Sequence, residues 1–222
     1  MSESLEIRRE QMLRAFKWSG IFLIGFLIVT EQVMSYGWLS QIDSKISEAK
    51  RHDFAPWVDL VFKKIDNLGL RGLTATILLI SAVLISRRFK SWRPLNLAIL
   101  SLLSLNLVVG LAKIAIGRTK PSLRVDLVHV GGLSYPSGHA SNALVTWGML
   151  AYLIYRYSHN EVFHGRLLAS GVGVITFSVC AVSLFRKTHW LSDLLGGLFI
   201  GGALLVAIIA IDRYFPSESQ RS

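Results

Sequence analysis

The sequence predicts an all-α integral-membrane protein, a bundle of six transmembrane helices built from a single domain over residues 1–222. Hydrophobic residues make up 52% of the chain and the mean hydropathy is +0.47, values too apolar for an ordinary soluble domain of 222 residues. Long apolar runs also alternate with short polar segments, and crossing a bilayer takes about 20 residues of helix. These features together place the chain in a membrane.

Six apolar runs predict the spans. They cover residues 16–36, 72–86, 95–116, 137–155, 167–185 and 191–211. The first run follows a polar, basic tail and ends near Tyr36 and Trp38, aromatic residues typical of the membrane–water boundary. No small-residue cleavage site follows this run, so we expect it to act as an uncleaved insertion signal.

The longest polar connection, residues 41–70, separates the first two spans. Apolar residues recur at helical spacing over residues 57–68, which predicts an interfacial helix or the wet start of the second span. Pro94 suits the first turn of the third span. Glycines in the last two spans allow close helix packing; they are Gly171, Gly173, Gly196, Gly197, Gly201 and Gly202.

Both termini of a six-span protein lie on one side of the membrane. Lys and Arg are almost equally numerous on the two sides, so their totals do not fix the orientation. The cations on the terminal side cluster at span ends, where the positive-inside rule is strongest, and this favours inner termini. The connections after the third and fifth spans and the start of the fourth then share the outer boundary.

Three polar segments meet at that boundary. They are residues 113–121 (KIAIGRTKP), 135–140 (YPSGHA) and 183–193 (SLFRKTHWLSD). The first carries Lys113, Arg118 and Lys120. A lone lysine at a helix end usually extends its charge toward water, but these cations share a side with two histidines. An anion-binding site is therefore the better interpretation.

Residues 136–139, Pro-Ser-Gly-His, begin the fourth span. Proline and Ser137 suit a helix start, Gly138 lets the backbone approach a ligand, and free N–H groups there favour an anion. His139 then projects from the first turn. The tetrapeptide alone also fits an ordinary N-cap followed by a chance histidine.

His189 and Asp193 stand four residues apart at the start of the sixth span and share one helix face. A carboxylate at that spacing accepts the imidazole N–H and makes the other nitrogen more nucleophilic. A structural ion pair is the alternative, although ionisable residues at membrane depth are usually functional. No metal-ligand spacing accompanies the pair, so we expect neither a metal nor another cofactor.

The net charge of +10 has two explanations. Nucleic-acid-binding proteins are often basic, but here the cations are split among short connections rather than gathered on one face. We therefore expect anionic membrane lipids and an anionic substrate as partners, with no nucleic acid and no obligatory protein partner. The single cysteine, Cys180, excludes an intrachain disulfide.

The three polar segments resemble, in order, the motifs of the phosphatidic acid phosphatase type 2 superfamily: Lys-x6-Arg-Pro, Pro-Ser-Gly-His and Ser-Arg-x5-His-x3-Asp. The match runs over residues 113–193. The resemblance implies that His189 attacks phosphorus and forms a phosphohistidine, that Asp193 orients His189, and that His139 protonates the departing oxygen. It also implies a metal-free phosphate site, held by Lys113, Lys120, Ser137 and Gly138.

Two positions depart from these motifs. Lys120 stands where the first motif has arginine, which keeps the charge and loses the planar fork. Ser183 stands six residues before His189, where the third motif has arginine. Arg186 is the nearest cation to that position, so we predict that it helps to bind phosphate, with Arg118 as a further phosphate-binding residue.

By this resemblance the chain is a membrane lipid phosphatase that removes the terminal phosphate of a lipid phosphate or diphosphate. Its predicted location is a bacterial plasma membrane, with cytoplasmic termini and an outward-facing active site. Polyprenyl and glycerophospholipid phosphates both fit, and family analogy favours polyprenyl. The alternatives are a lipid-linked phosphotransferase and a phosphate- or lipid-binding membrane protein that has lost catalysis.

Overall fold

The structure, a computed structural model, describes residues 2–48, 54–123, 125–157 and 162–215, so residues 49–53 of the predicted 41–70 connection lie outside the described residues. All regular structure in these ranges is helical, with two short 3₁₀ helices, Asn67–Gly69 and Pro121–Leu123. The α-helices are α1 (Ser2–Met34), α2 (Trp38–Glu48), α3 (Pro56–Asp66), α4 (Arg71–Arg88), α5 (Arg93–Ile116), α6 (Gly138–Tyr157), α7 (Val162–Phe185) and α8 (Leu191–Tyr214). The predicted all-α class is confirmed for this part of the chain.

Each predicted span coincides with a helix, namely α1, α4, α5, α6, α7 or α8. Four of these, α1, α5, α7 and α8, are long and apolar enough to cross a bilayer. The segment of α3 and its 3₁₀ turn meets α4 at a bend of 55° and adds a fifth span if the pair is one broken helix. By length and hydropathy, the described residues thus contain four or five candidate spans of an integral membrane protein.

The helix α6, predicted as the fourth span, is absent from that group because it lies at the centre of the bundle. It packs against α4, α7 and α8. Its buried residues include Ser141, Asn142 and Thr146, and the hydroxyls of Ser141 and Thr146 donate to carbonyls one turn earlier. A helix that contacts protein on most sides can carry such locally satisfied polar groups, and its hydropathy falls accordingly.

Glycines bring the start of α6 against the start of α8. A Cβ added to Gly197 would lie 2.5 Å from the Ser137 carbonyl oxygen, and one added to Gly196 would lie 2.7 Å from the Tyr135 ring. Any larger residue at either position would push the two segments apart. The close packing predicted from glycines is confirmed for the last span at this contact, which also positions two of the three polar segments. It is wrong for Gly171 and Gly173 of α7, where an added Cβ would have no atom of another helix within 4 Å in the described part of the chain.

The helix α2 was not predicted, because its sequence lies in a polar connection. Its inward face is partly polar: Ser40 and Asp43 are buried together with Leu39. The next helix, α3, confirms the helical pattern predicted over residues 57–68, although the α-helix ends at Asp66 and the 3₁₀ helix covers the last two residues of that range. Both helices lead to the end of the bundle that contains His139 and His189.

Candidate active site

His189 and Asp193 form the predicted pair at the start of α8. The Nδ1 atom of His189 lies 3.4 Å from Oδ2 of Asp193, and both side chains are buried. The same Oδ2 accepts the backbone N–H of Trp190 at 3.1 Å and the hydroxyl of Ser134. A carboxylate fixed in this way selects the tautomer with hydrogen on Nδ1, so the lone pair of His189 lies on Nε2.

His139, in the first turn of α6, faces the same space. Its ring centroid lies 5.9 Å from that of His189, and 31% of its side chain is exposed. The charges of Lys113, Lys120 and His189 all act on His139. The structure therefore places the two predicted histidines and the two lysines predicted to bind phosphate close enough for their charges to interact.

Ser137 links the start of α6 to α8. Its backbone N–H donates to the Asp193 carbonyl at 2.8 Å, while its Oγ accepts the N–H of Ala140 at 3.3 Å as a helix cap. The Ser137 side chain is fully buried, so in this conformation its role is to stabilise the start of α6. Among the backbone hydrogen bonds of the described residues, none is donated by Gly138 or His139. These two N–H groups are available to an anion.

Lys113, near the end of α5, lies beside Gly138. Its Cε is 4.0 Å from the position that a Cβ on Gly138 would take. Its Nζ donates to the carbonyl of Leu133 and, at 3.4 Å, to that of Ser134. The ammonium group is thus held at the site by backbone oxygens, whereas Lys120 is exposed in the loop after α5.

Arg118 corrects one expectation, because the structure leaves it no donor for phosphate. The side chain is completely buried. An arginine has five N–H groups, and here the guanidinium donates to Asp126 Oδ1 (2.7 Å) and Oδ2 (2.6 Å), Asp193 Oδ1 (2.9 Å), Asp43 Oδ2 (2.8 Å) and Ser192 Oγ (2.5 Å). Arg118 is therefore the buried counter-ion of Asp193 and its neighbours, and the phosphate-binding role predicted for it does not fit this geometry.

Asp43 and Asp126 belong to this cluster and escaped the sequence analysis. Burial raises the pKa of the Asp43 carboxyl, against the opposing effect of hydrogen bonds from Ser192 and Arg118. Asp43 lies on α2, far in sequence from α8, and its Oδ1 accepts the Ser192 N–H at 3.1 Å. No local pattern marks an isolated aspartate in a polar segment as part of such a site.

Arg186, in the loop between α7 and α8, has N–H donors that are unpaired within the described part of the chain. Its Nε and Nη1 atoms are buried, and among the described residues neither has a hydrogen-bond partner. Buried donors are normally paired, and an unpaired guanidinium is costly to retain without a ligand. The neighbouring Lys187, in contrast, donates from Nζ to the Ser47 carbonyl at 2.6 Å.

Ser183 and Asp66 form a contact that the motifs do not include. The Ser183 hydroxyl donates to Asp66 Oδ1 at 3.0 Å, and Asp66 Oδ2 lies 4.0 Å from His139 Nε2. The charge of Arg71, at the start of α4, acts on Lys113. The end of α3 therefore contributes a carboxylate to the site and the start of α4 a nearby cation, and neither residue lies within the three motifs.

The chemistry of this arrangement is that of an anion site with a nucleophile. His189 has an oriented lone pair, and the ring of His139 lies 5.9 Å away. Lysine side chains and the backbone N–H groups available at the start of α6 lie near both histidines. In the described ranges, no group of three or more His, Cys, Asp and Glu residues is arranged to hold a metal ion. Proton transfer and nucleophilic attack on an anionic ester are the steps that such residues support.

A helical bundle with several candidate membrane spans and this histidine site is typical of a membrane phosphatase. The family model of the PAP2 superfamily matches residues 94–216, more than half of the 222-residue chain, and the chain belongs to that superfamily. It is an integral membrane lipid phosphatase, a hydrolase of the PAP2 class.

Two comparisons with individual proteins agree. The chain is 27% identical over 202 residues to phosphatidylglycerophosphatase B of Bacillus subtilis (strain 168), a match that covers 90% of this chain and 98% of that relative. Its fold is similar to the crystal structure of a transmembrane PAP2-type phosphatidylglycerolphosphate phosphatase from Bacillus subtilis, with a TM-score of 0.77 and 24% identity. That likeness covers 87% of this chain and 95% of the crystallised one.

Proposed function

We propose that this protein hydrolyses the terminal phosphate of a lipid phosphate or diphosphate through a phosphohistidine on His189. The observation that carries the proposal is the oriented His189–Asp193 pair, with Nδ1 and Oδ2 3.4 Å apart, facing a second histidine at 5.9 Å. The relative in Bacillus subtilis is named for phosphatidylglycerophosphate, so a phosphatidylglycerophosphate is the first substrate to test. The polyprenyl phosphates and diphosphates favoured by family analogy stay a prediction.

In the first half-reaction, the Nε2 lone pair of His189 forms a P–N bond as the bond between phosphorus and the lipid oxygen breaks. His139, as the imidazolium, gives its proton to that oxygen, and the lipid alcohol leaves, or the lipid monophosphate when the substrate is a diphosphate. In the second half-reaction, neutral His139 takes a proton from water, whose oxygen attacks phosphorus and releases phosphate from His189. Asp193 stabilises the positive charge on the His189 ring in both steps.

The phosphoryl oxygens are held by positive charge and by the helix start. Lys113, Lys120 and the N–H groups of Gly138 and His139 form one side of this cradle. Arg186 supplies the other, because its buried Nε and Nη1 atoms lack partners among the described residues. Ser137 supports the cradle through its cap on α6.

We further propose that residues 1–222 form one unit that crosses the membrane six times, with α6 as the protein-enclosed span and α3–α4 as a bent one. Inner termini then place the histidines at the outer membrane–water boundary of a bacterial plasma membrane. The exposed Trp57 and Leu60 on α3 fit a helix that lies in that boundary. Cysteine labelling of residues at the two helix ends in intact cells tests this orientation.

Single-turnover kinetics test the activity. Purified protein in detergent is mixed with a short-chain phosphatidylglycerophosphate, with excess chelator present throughout, and both inorganic phosphate and acid-labile phosphoprotein are measured. We expect a transient phosphoprotein and stoichiometric phosphate release. Transfer of the phosphoryl group to an added alcohol without hydrolysis would indicate a phosphotransferase, and a binding protein would give neither product.

A further inference from the structure

Asp66, the last residue of α3, faces His139 from outside the three motifs. We propose that Asp66 is a positioning residue for the general acid: its carboxylate accepts the Nε2–H of the His139 imidazolium and keeps His139 charged for proton transfer. The inference rests on the function proposed above, since it concerns the same reaction. It adds a second carboxylate–histidine pair to the site, next to the pair formed by Asp193 and His189.

The two oxygens of Asp66 have different neighbours. Oδ1 accepts the Ser183 hydroxyl at 3.0 Å, and Ser183 is fully buried. Oδ2 lies 4.0 Å from His139 Nε2, with 18% of the aspartate side chain and 31% of the histidine side chain exposed. Ser183 therefore fixes the carboxylate in an orientation that directs its second oxygen toward the imidazole. A small inward movement on substrate binding closes the remaining gap.

The turn after Asp66 is fastened to α6, so this approach is built into the fold. A Cβ added to Gly69 would lie 2.8 Å from the His139 carbonyl oxygen, which means that only glycine allows the 3₁₀ turn to come this close. The side chains of Trp147 and Asn142 donate to the carbonyls of Leu68 (2.9 Å) and Gly69 (3.5 Å). Three contacts thus hold the Asn67–Gly69 turn, and with it Asp66, against the helix that carries His139.

The charges around His139 explain why an acid needs such a partner. Lys113 lies beside Gly138, the residue before His139, and the His189 ring lies 5.9 Å from that of His139. Positive charge at either residue opposes a charged imidazolium on His139, whereas the carboxylate of Asp66, 4.0 Å from Nε2, favours it. With Nε2–H given to Asp66, the proton that moves to the leaving oxygen is the one on Nδ1. Nδ1 is then neutral and takes the proton of the attacking water in the second half-reaction.

The first experiment compares Asp66→Asn with Asp59→Asn, an aspartate of the same helix away from His139. For dioctanoyl phosphatidic acid, whose alkoxide leaving group needs an acid, we expect Asp66→Asn to lower kcat/KM by about 10- to 100-fold, part of the full contribution of a general acid. For p-nitrophenyl phosphate, whose leaving group needs none, we expect the loss to be within about 3-fold. The alkaline limb of the kcat/KM–pH profile should also move to lower pH.

Ser183→Ala should change the same quantities in the same direction and by less, while Asp59→Asn leaves them unchanged. Equal losses on both substrates would show that Asp66 serves folding or binding only and would overturn the inference, as would unchanged kinetics.

A second measurement does not depend on turnover. NMR titration of histidine-labelled protein in micelles, with His139→Gln to assign the signal, reports directly when His139 loses its proton. We expect Asp66→Asn to shift this titration to lower pH and Asp59→Asn to leave it in place. An unshifted titration overturns the inference even in an active enzyme. Failure of the wild-type protein to hydrolyse either ester would instead contradict the proposed function, and the titration would still decide the role of Asp66.

Discussion

The two ends of the bundle both bury an arginine–aspartate cluster, but the charge balance of the two clusters is opposite. At the end that carries the histidines, the site end, the single cation Arg118 pairs with three carboxylates at 2.6–2.9 Å. At the far end, where α5 begins and α8 ends, the single carboxylate Asp212 pairs with two guanidinium groups. One cluster therefore has an excess of acceptors and the other an excess of donors.

In the far-end cluster, both oxygens of the Asp212 carboxylate form hydrogen bonds or ion pairs. Arg93 Nε lies 2.5 Å from Asp212 Oδ1, while Arg156 Nε (3.2 Å) and the Tyr152 hydroxyl (2.5 Å) approach Oδ2. Arg93 also donates to the backbone carbonyls of Asp212 and Phe215. These contacts join α5, α6 and α8, and both carboxylate oxygens of Asp212 accept structural donors.

In the site-end cluster, one carboxylate oxygen of Asp193 contacts His189 in addition to its structural donors, Trp190 N–H and the Ser134 hydroxyl. Arg118 binds Oδ1 of Asp193, and Oδ2 faces His189. The excess of carboxylates around Arg118 thus satisfies the cation completely while one carboxylate oxygen serves the nucleophile. The same ion-pair chemistry thus joins helices at one end of the bundle and holds the carboxylate beside His189, the proposed nucleophile, at the other. Substitutions at the far end should change stability alone, and those at the site end should change turnover as well.

The largest effect should come from the nucleophile itself. We expect His189→Ala to lower kcat by on the order of 10⁴-fold or more, because the covalent route is lost and only binding and the cradle remain. His139→Ala should cost less on an aryl phosphate than on an alkyl phosphate, since acid assistance then matters less. Single-turnover phosphate release measures both variants.

The matched control is His164→Ala, at the start of α7 and thus at the far end. It should retain wild-type turnover. Equal losses for His189→Ala and His139→Ala on every leaving group would contradict the assigned roles.

The next largest effect should come from Arg118, and it compares the site-end cluster with the far-end cluster directly. Arg118→Met removes the cation that contacts the buried carboxylates of Asp43 and Asp193 and the partly exposed carboxylate of Asp126, and breaking such an arrangement costs about 3–5 kcal/mol of unfolding free energy. We also expect kcat to fall, because Asp193 loses the partner that holds its Oδ1. Tryptophan-detected thermal unfolding in detergent gives the stability change, and phosphate release per folded molecule gives kcat.

Arg93→Met is the far-end counterpart, with the side chain 20% exposed. It should lower the melting temperature while kcat per folded molecule stays at the wild-type value. A wild-type kcat for Arg118→Met would show that the site-end cluster is as purely structural as the far-end one.

Arg118 also shows where sequence reasoning stops. Hydropathy located the helices α1, α5, α7 and α8, because lipid contact demands apolar side chains over a whole span. The motifs located His139, His189 and Asp193, because a helix start and an i, i+4 spacing are local features. The contacts of Arg118, in contrast, depend on residues up to 75 positions away. A cation in a loop has the same local pattern whether it binds phosphate or three aspartates.

Asp43 and Asp66 were missed for the same reason. Each is a single acid in a polar segment, and its meaning depends on which residues the fold places opposite it. Ser183 was recognised as a departure from the motif, but its partner Asp66 lies 117 residues away. The hydropathy of α6 likewise depends on its central position in the bundle.

Arg186 is a third arginine whose state differs from that of Arg118 and Arg93, because its buried Nε and Nη1 atoms lack partners among the described residues. If it meets the charge that develops on the phosphoryl oxygens, Arg186→Ala should cost about 2–4 kcal/mol of transition-state stabilisation, the range for one strong oxyanion contact. Both kcat and kcat/KM should fall, and Arg186→Lys should recover only part of the loss since the fork is gone.

The adjacent cation provides the control for this variant. Lys187→Ala, which removes the contact with Ser47, should keep a near-normal kcat and change at most the salt dependence of kcat/KM. A near-normal kcat for Arg186→Ala at saturating substrate would leave Lys113 and Lys120 as the cradle.

The smallest effect should come from Arg156, the weaker of the two cations at the far end. Its Nε lies 3.2 Å from Asp212 Oδ2 and its side chain is 16% exposed, whereas Arg93 lies 2.5 Å from Oδ1. After Arg156→Ala, Asp212 keeps Arg93 and the Tyr152 hydroxyl, so no buried charge is left unpaired. We therefore expect a loss of about 1 kcal/mol or less in unfolding free energy and a kcat equal to that of the wild type. Thermal unfolding of Arg156→Ala beside Arg93→Met measures the first quantity, and phosphate release at saturating lipid measures the second. A lowered kcat in a folded Arg156→Ala protein would mean that the far end communicates with the histidines along α6, and the separation of a structural end from a catalytic end would then fail.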